Sequence, residues 1–189
     1  MGYYRADELR SMGFRHVGND VRVSDRASLY DLDRISIGDH SRVDDFCVLA
    51  GSVTIGRNVH VTVFCNLAGG RAGVTLADFS TLAYGCHVVA QTDDYSGRSM
   101  ANSTIPAEFK RETSEPTIVG RYAILGTGTI VLPGVTIGEG VSAGAGSVFT
   151  TSTDPWGIYV GAPARRVKER SRDLLLLAEE YRSRFDSPS

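Results

Sequence analysis

The chain has 189 residues, 42% of them hydrophobic, with a formal charge of −2 at neutral pH. That length suits one domain able to bury roughly 70% of its unfolded surface, and the near-neutral balance gives no electrostatic case for nucleic acid or an anionic membrane as partner. The start, MGYYRADELR, carries no apolar leader, and the longest aliphatic run, Leu174 to Ala178, is far too short to span a bilayer, so a cytoplasmic protein without membrane insertion is expected.

From the amino terminus, Tyr4 to Met12 (YRADELRSM) reads as a short helix, and residues 1–16 as a helical cap. Beyond it a six-residue period sets in. Blocks open on an aliphatic residue at Val17, Val23 and Leu29, pause for a two-residue insertion, and resume at Ile37, Val43, Leu49, Ile55, Val61 and Leu67. Three extra residues fall around Gly69-Gly70-Arg71, after which Leu76, Leu82 and Val88 continue the pattern. Residues 92–116 (TDDYSGRSMANSTIPAEFKRETSEP) break it with polar residues and two prolines. An interruption that long inside a compact domain is commonly functional. The period returns at Val119, Leu125, Val131, Ile137 and Ala143, now with glycine at the second position of most blocks.

A helix is excluded for this second half. VLPGVTIGEGVSAGAGSV, residues 131–148, holds five glycines, each costing a helix interior about 0.8–1.0 kcal/mol relative to alanine. Short strands turning every six residues, each with one aliphatic side chain inward, describe an all-β solenoid of triangular section over residues 17–163. Three blocks make a coil, and roughly six coils at about 4.8 Å each give a prism near 29 Å long. Glycine is expected at the bends, for positive φ or for close backbone approach. Cys47, Cys65 and Cys86 share the fifth position of blocks three apart, which predicts small buried residues stacked on one corner. After residue 163 the period ends, and Val167, Leu174, Ala178, Tyr181 and Phe185 fall on one face of a closing helix within residues 164–189.

VLPGVTIGEGVSAGAGSVFT followed by GIYVGAPARRVK resembles the hexapeptide-repeat acyltransferases, in particular the galactoside and maltose O-acetyltransferase-like enzymes that modify sugars. The resemblance implies a left-handed parallel β-helix with short helices at its ends, a homotrimer, and acetyl-CoA as cosubstrate. The acetyl group would go to a hydroxyl or amine of a sugar, either a nucleotide sugar or a precursor of polysaccharide or lipopolysaccharide. It implies coenzyme A contacts for Gly126, Gly128, Gly144, Ala145 and Gly146, whose small side chains leave peptide groups accessible. Ala162, Arg165, Arg166 and Lys168 match the region near the nucleotide end of coenzyme A, where guanidinium forks suit phosphates.

The acceptor end departs from that family. Where similar O-acetyltransferases carry a histidine base at the entry to the long loop, this chain reads Gln91-Thr92-Asp93-Asp94-Tyr95. Asp93 aligns with the missing histidine and Asp94 follows it; either carboxylate could act as base if desolvation raised its pKa, or could bind the sugar. His87 ends the preceding block and stands three blocks after Asn66, so the two are expected to stack, the amide orienting an imidazole that could act as base. His60 ends a block on another corner and is the weaker candidate, and His16 and His40 read as surface residues. An amine acceptor would need a base less than a hydroxyl would. Two rivals stand beside this reading: a zinc-dependent hydratase, for which His60 and His87 lack a third histidine, and a non-catalytic assembly module. No metal is expected.

Overall fold

The computed structural model describes residues 2–185, and in it the hexad register becomes a parallel β-helix. Each coil has three faces. The first stacks Arg22–Val23, Arg42–Val43, His60–Val61, Thr81–Leu82, Ile124–Leu125, Ser142–Ala143 and Gly157–Val160, all parallel. The second runs from Ser28–Leu29 through the starts of the long strands Val48–Ile55 and Asn66–Leu76 to His87–Val89, Ile130–Val131 and Val148–Phe149. The third joins His16–Val17, Ile35–Ile37, the ends of the two long strands, Thr117–Val119 and Thr136–Ile137. Six coils are complete and Gly157–Val160 opens a seventh. The helix is left-handed.

The aliphatic residue that opens each block is the one that points inward. Val23, Val43, Val61, Leu82 and Leu125 form one such column, and Leu49, Leu67, Val88 and Val131 another, all fully buried. Because every coil repeats the same inward positions, the core is a set of stacked columns, each residue touching its equivalents one layer up and down. Cys47, Cys65 and Cys86 are buried free thiols beside the corner between the first and second faces. Each donates to a carbonyl of the next coil, at Thr62, Ala83 and Gly126.

The two reasons for bending are divided between two positions of the hexad. At the second position glycine answers to crowding: a Cβ on Gly38 would lie 2.7 Å from the carbonyl carbon of Gly56, and one on Gly126 2.7 Å from the Ala143 carbonyl oxygen. Positive φ belongs to the fourth position, where glycine is optional. His40, Asn58, Phe79 and Tyr122 adopt φ of 53–60° there, a conformation costing an L-residue about 1–2 kcal/mol. A corner ladder offsets that cost, since the amides of His40, Asn58, Phe79 and Tyr122 donate to Asn19, Asp39, Arg57 and Asp78 in the preceding coil.

Helix α1 (Ala6–Ser11) closes the amino-terminal end by inserting Leu9 into the core. At the other end the chain differs from the sequence expectation. Val167 is not on a helix: Arg165–Glu169 is a strand that returns antiparallel to Gly157–Val160. All five of its residues are exposed, so no apolar alternation marked it. Helix α2 (Leu174–Phe185) then lies along the fourth-position corner, its Leu174, Leu175 and Ala178 packing on Phe79, Tyr122 and Trp156. Arg170 pins the turn between them by donating from one guanidinium nitrogen to the carbonyls of Tyr122 and Gly140. The tail beyond residue 185 lies outside the described residues.

Candidate functional site

All three departures from the hexad period occur on the way from the second face to the third, so they stack on one corner. The insertion before Ile37 forms a single 3₁₀ turn, Leu32–Arg34. The extra residues at Gly69-Gly70-Arg71 bulge the Asn66–Leu76 strand against Val48–Ile55. The polar interruption leaves as a two-stranded antiparallel stalk, with Gln91–Thr92 paired to Thr113–Ser114. Between the three lies a cleft of about 510 Å³, floored by Ala50, Gly51, Ala68 and Gly70 and walled by Asp31, Arg34, Arg71, Gln91, Asp93 and Glu112. A smaller recess of about 350 Å³ opens inside the loop, lined by Asp94, Tyr95, Arg98 and Arg111, and Asp93 borders both.

The carboxylates of this corner have different duties. Asp31 accepts from the Gly51 amide at 3.0 Å, and Glu112 accepts from Lys110 Nζ and Gln91 Nε2, both at 2.7 Å. The Lys110 bond, aided by the charge of Arg71, holds the Glu112 carboxyl below the usual carboxylate range. Asp94 accepts from the Ser96 amide at 2.8 Å and the Ser99 hydroxyl at 3.0 Å. Those bonds, Ser96 first, lower its pKa and fold the loop onto itself. Asp93 alone of the four has no hydrogen bond or ion pair among the described residues. Arg34, half-buried, and Arg71, exposed, line the same cleft, and neither guanidinium has a hydrogen bond or ion pair among the described residues.

His87 pairs with Asn66 on one side and Ile130 on the other. It is exposed and stands at the start of the second face, whereas Asp93 follows that face's end. Up to about 20 Å of extended chain separates the two, and His87 borders neither cleft. His60 lies on the first face, where its Nε2 is 2.9 Å from the Asp44 carboxylate. Among the described residues no three His, Cys, Asp or Glu side chains are grouped to hold a metal ion.

The residues assigned to coenzyme A sort by cause. Gly126 and Gly144 sit where a Cβ would meet the neighbouring coil, at 2.7 Å from the Ala143 carbonyl oxygen and 2.8 Å from Val160 Cγ1 respectively. Gly128 and Gly146 have φ of 69° and nothing within 4 Å of a Cβ position, so they line an open strip on the corner between the first and second faces. Ala145 and Ala162 are exposed beside it. The Arg165 guanidinium donates to the carbonyl of Ala164, Lys168 is exposed, and Arg166 is paired with Glu169 and lies 4.0 Å from Asp154. Sequence reasoning missed Arg34, Arg71 and Glu112, although the two insertions and the loop that carry them were visible as lapses in the period.

No family model matches the chain. A curated relative, the dTDP-4-amino-4,6-dideoxy-D-glucose acyltransferase of Escherichia coli, is 36% identical over 185 residues, covering 96% of each protein. The chain belongs to the hexapeptide-repeat sugar acyltransferases. Such enzymes draw their acyl group from a coenzyme A thioester, and this chain is an acyl-CoA-dependent acyltransferase acting on a sugar. Among solved members, AntD, an N-acyltransferase from Bacillus cereus, superposes with a TM-score of 0.94 at 39% identity, over 98% of both chains, in a complex with dTDP and 3-hydroxybutyryl-CoA. A serine variant of AntD, solved with dTDP-4-amino-4,6-dideoxyglucose and coenzyme A, superposes at 0.95. The acetyltransferase domain of PglB from Neisseria gonorrhoeae, at 21% identity and a TM-score of 0.59, shares the fold. The hexapeptide-repeat sugar acyltransferase family expected from the repeats is thus borne out, and AntD among these relatives is an N-acyltransferase.

Proposed function

We propose that the protein acylates the amino group of a dTDP-linked 4-amino-4,6-dideoxyhexose, using acyl-CoA, in the cleft at the root of the loop. The observation that carries this reading is the unpartnered carboxylate of Asp93, shared by both clefts in a site whose other carboxylates are already bonded. A sugar ammonium would find there the one acidic group free to hold it. The relatives' acceptors and donors, named above, supply the substrate class, and similarity over the whole length of the chain supports carrying it over.

In this scheme Asp93 holds the ammonium, which releases one proton to solvent, and then takes the second proton from the neutral amine as that nitrogen attacks. The nitrogen attacks the thioester carbonyl, forming the C–N bond as the carbonyl π pair moves to oxygen. Collapse of that tetrahedral species breaks the C–S bond, and the proton passes from Asp93 to the departing coenzyme A sulfur. No acyl-enzyme forms. Backbone N–H groups of the last coils are suited to stabilising the transient oxyanion. Asp94 shapes the loop and does not touch the acceptor, and His87 with Asn66 stands on the coenzyme A side.

Coenzyme A is assigned to the strip of Gly128 and Gly146, with Gly126, Gly144, Ala145 and Ala162 beside it and Arg165, Arg166 and Lys168 towards its phosphates. In one chain this strip and the acceptor cleft occupy different corners. We therefore infer a homotrimer in which one chain's strip faces its neighbour's cleft; light scattering giving a monomer at micromolar concentration would count against it. Three buried free thiols and a coenzyme A donor suit a reducing cytoplasm, where an acylamido sugar nucleotide could feed polysaccharide or lipopolysaccharide assembly.

The test is direct. Purified protein given dTDP-4-amino-4,6-dideoxyglucose with acetyl-CoA or 3-hydroxybutyryl-CoA should release free thiol and yield an amide-bearing sugar nucleotide by mass spectrometry. Thiol release with a 4-hydroxy sugar nucleotide but none with the amine would overturn the reading.

A further inference from the structure

The cleft is electrically lopsided in a way that selects for a dipolar ligand. Asp31 and Glu112 are engaged by Gly51, Lys110 and Gln91, and among the described residues Asp93, Arg34 and Arg71 have no side-chain hydrogen bond or ion pair, Arg71 acting on Glu112 only through its charge. The two arginines do not belong to the repeat. Arg34 ends the 3₁₀ turn of the first insertion, and Arg71 crowns the bulge of the second, next to Gly70 at φ 51°. Regular hexads would carry neither side chain to this corner.

The floor of the cleft is built of small residues, Ala50, Gly51, Ala68 and Gly70. A Cβ on Gly51 would strike the Gly70 backbone at 2.5 Å, and one on Gly70 would strike Gln91 Oε1 at 2.5 Å, so backbone from two coils is packed tight and the surface above it stays low. A guanidinium offers a planar fork matched to phosphate oxygens. Two forks lining one cleft with a low floor suit a group with oxygens on two linked phosphorus atoms.

We propose that Arg34 and Arg71 clamp the diphosphate bridge of the acceptor, so that the cleft recognises a nucleoside diphosphate sugar by both of its charges: diphosphate at the arginines, ammonium at Asp93. This rests on the acceptor reading above, and it goes beyond it by naming which residues demand a diphosphate. The cations of the loop recess, Arg98 and Arg111, line the other pocket beside Asp94 and are not part of this clamp.

The experiment measures dTDP and dTMP binding by titration calorimetry on the full chain, without turnover. The wild type should prefer dTDP to dTMP by at least tenfold. Arg34→Ala and Arg71→Ala should each weaken dTDP by about 10–100-fold, the range expected for losing charge-assisted hydrogen bonds, and the double variant should bind the two nucleotides alike. Arg34→Lys and Arg71→Lys should recover only part of the loss, since lysine keeps charge without the fork. Affinity for coenzyme A and the melting temperature should hold in all of them. Undiminished dTDP preference in the folded double variant, or its loss in Arg98→Ala/Arg111→Ala instead, would overturn the clamp. If the wild type binds dTDP through the arginines yet acylates no amino sugar, the acceptor reading fails and the clamp stands.

Discussion

Asp93 and Asp94 are adjacent carboxylates with unlike fates, and the difference lies in what surrounds each one. Asp94 is consumed by the Ser96 amide and the Ser99 hydroxyl, whereas Asp93 faces the cleft with nothing bound. Under the proposed mechanism Asp93→Asn should lower kcat about 10²–10⁴-fold, the usual scale for removing a general base, with coenzyme A binding intact. Asp94→Asn should instead raise the acceptor KM by loosening the loop, and His87→Ala should leave acceptor kinetics near normal. Steady-state kinetics on the three variants separate the roles. A second carboxylate invites a different measurement. Burial would raise the Asp44 carboxyl, but hydrogen bonds from Arg42 and His60 more than offset it, and its pKa is held below the usual value. A group depressed on folding contributes stability that is complete above the unfolded aspartate pKa near 3.9 and is lost as pH falls through the folded one. The melting temperature of Asp44→Asn should therefore be lower than that of the wild type at pH 7, and the gap should narrow as pH falls below about 4.

At the level of elements, the hexads were legible because each inward aliphatic residue must recur or leave a hole in its column; Val43, Val61 and Leu82 could be placed by counting alone. The cleft was half legible. The two insertions and the loop showed in the sequence as lapses, and counting blocks in threes would have put all three on one corner, yet nothing in the residue types said that Arg34 and Arg71 meet there. The return strand Arg165–Glu169 was invisible, since a fully exposed strand carries no hydrophobic alternation. Helix α2 depends on that strand and on Arg170, whose pKa is lowered by burial and whose guanidinium serves the carbonyls of Tyr122 and Gly140. Hydrogen bonds to a charged group contribute about 1.5–3 kcal/mol each, and at this chain length about 1 kcal/mol moves Tm by roughly 2–4 °C. Arg170→Ala should lower Tm by about 5 °C or more in a thermal melt, and Arg170→Lys should restore little, because one ammonium cannot follow the same planar geometry.

For the whole molecule, a solenoid of repeated parallel layers has an intrinsic hazard at its ends. Any coil could accept another coil as its next layer. The amino-terminal end is plugged by Leu9 of α1, and the carboxy-terminal end by Arg165–Glu169, which reverses direction across Gly157–Val160 and presents the sequence RRVKE outward. An antiparallel, four-fifths charged edge offers a parallel coil neither the right hydrogen-bond spacing nor an apolar landing. The chain truncated after Ala164 should consequently associate end to end, visible as concentration-dependent growth in light scattering and as rods in electron micrographs, while the full chain keeps a fixed particle size. The returning strand thus does for length what a chain terminator does for a growing polymer: it makes the coil count a property written into one molecule instead of one left to concentration.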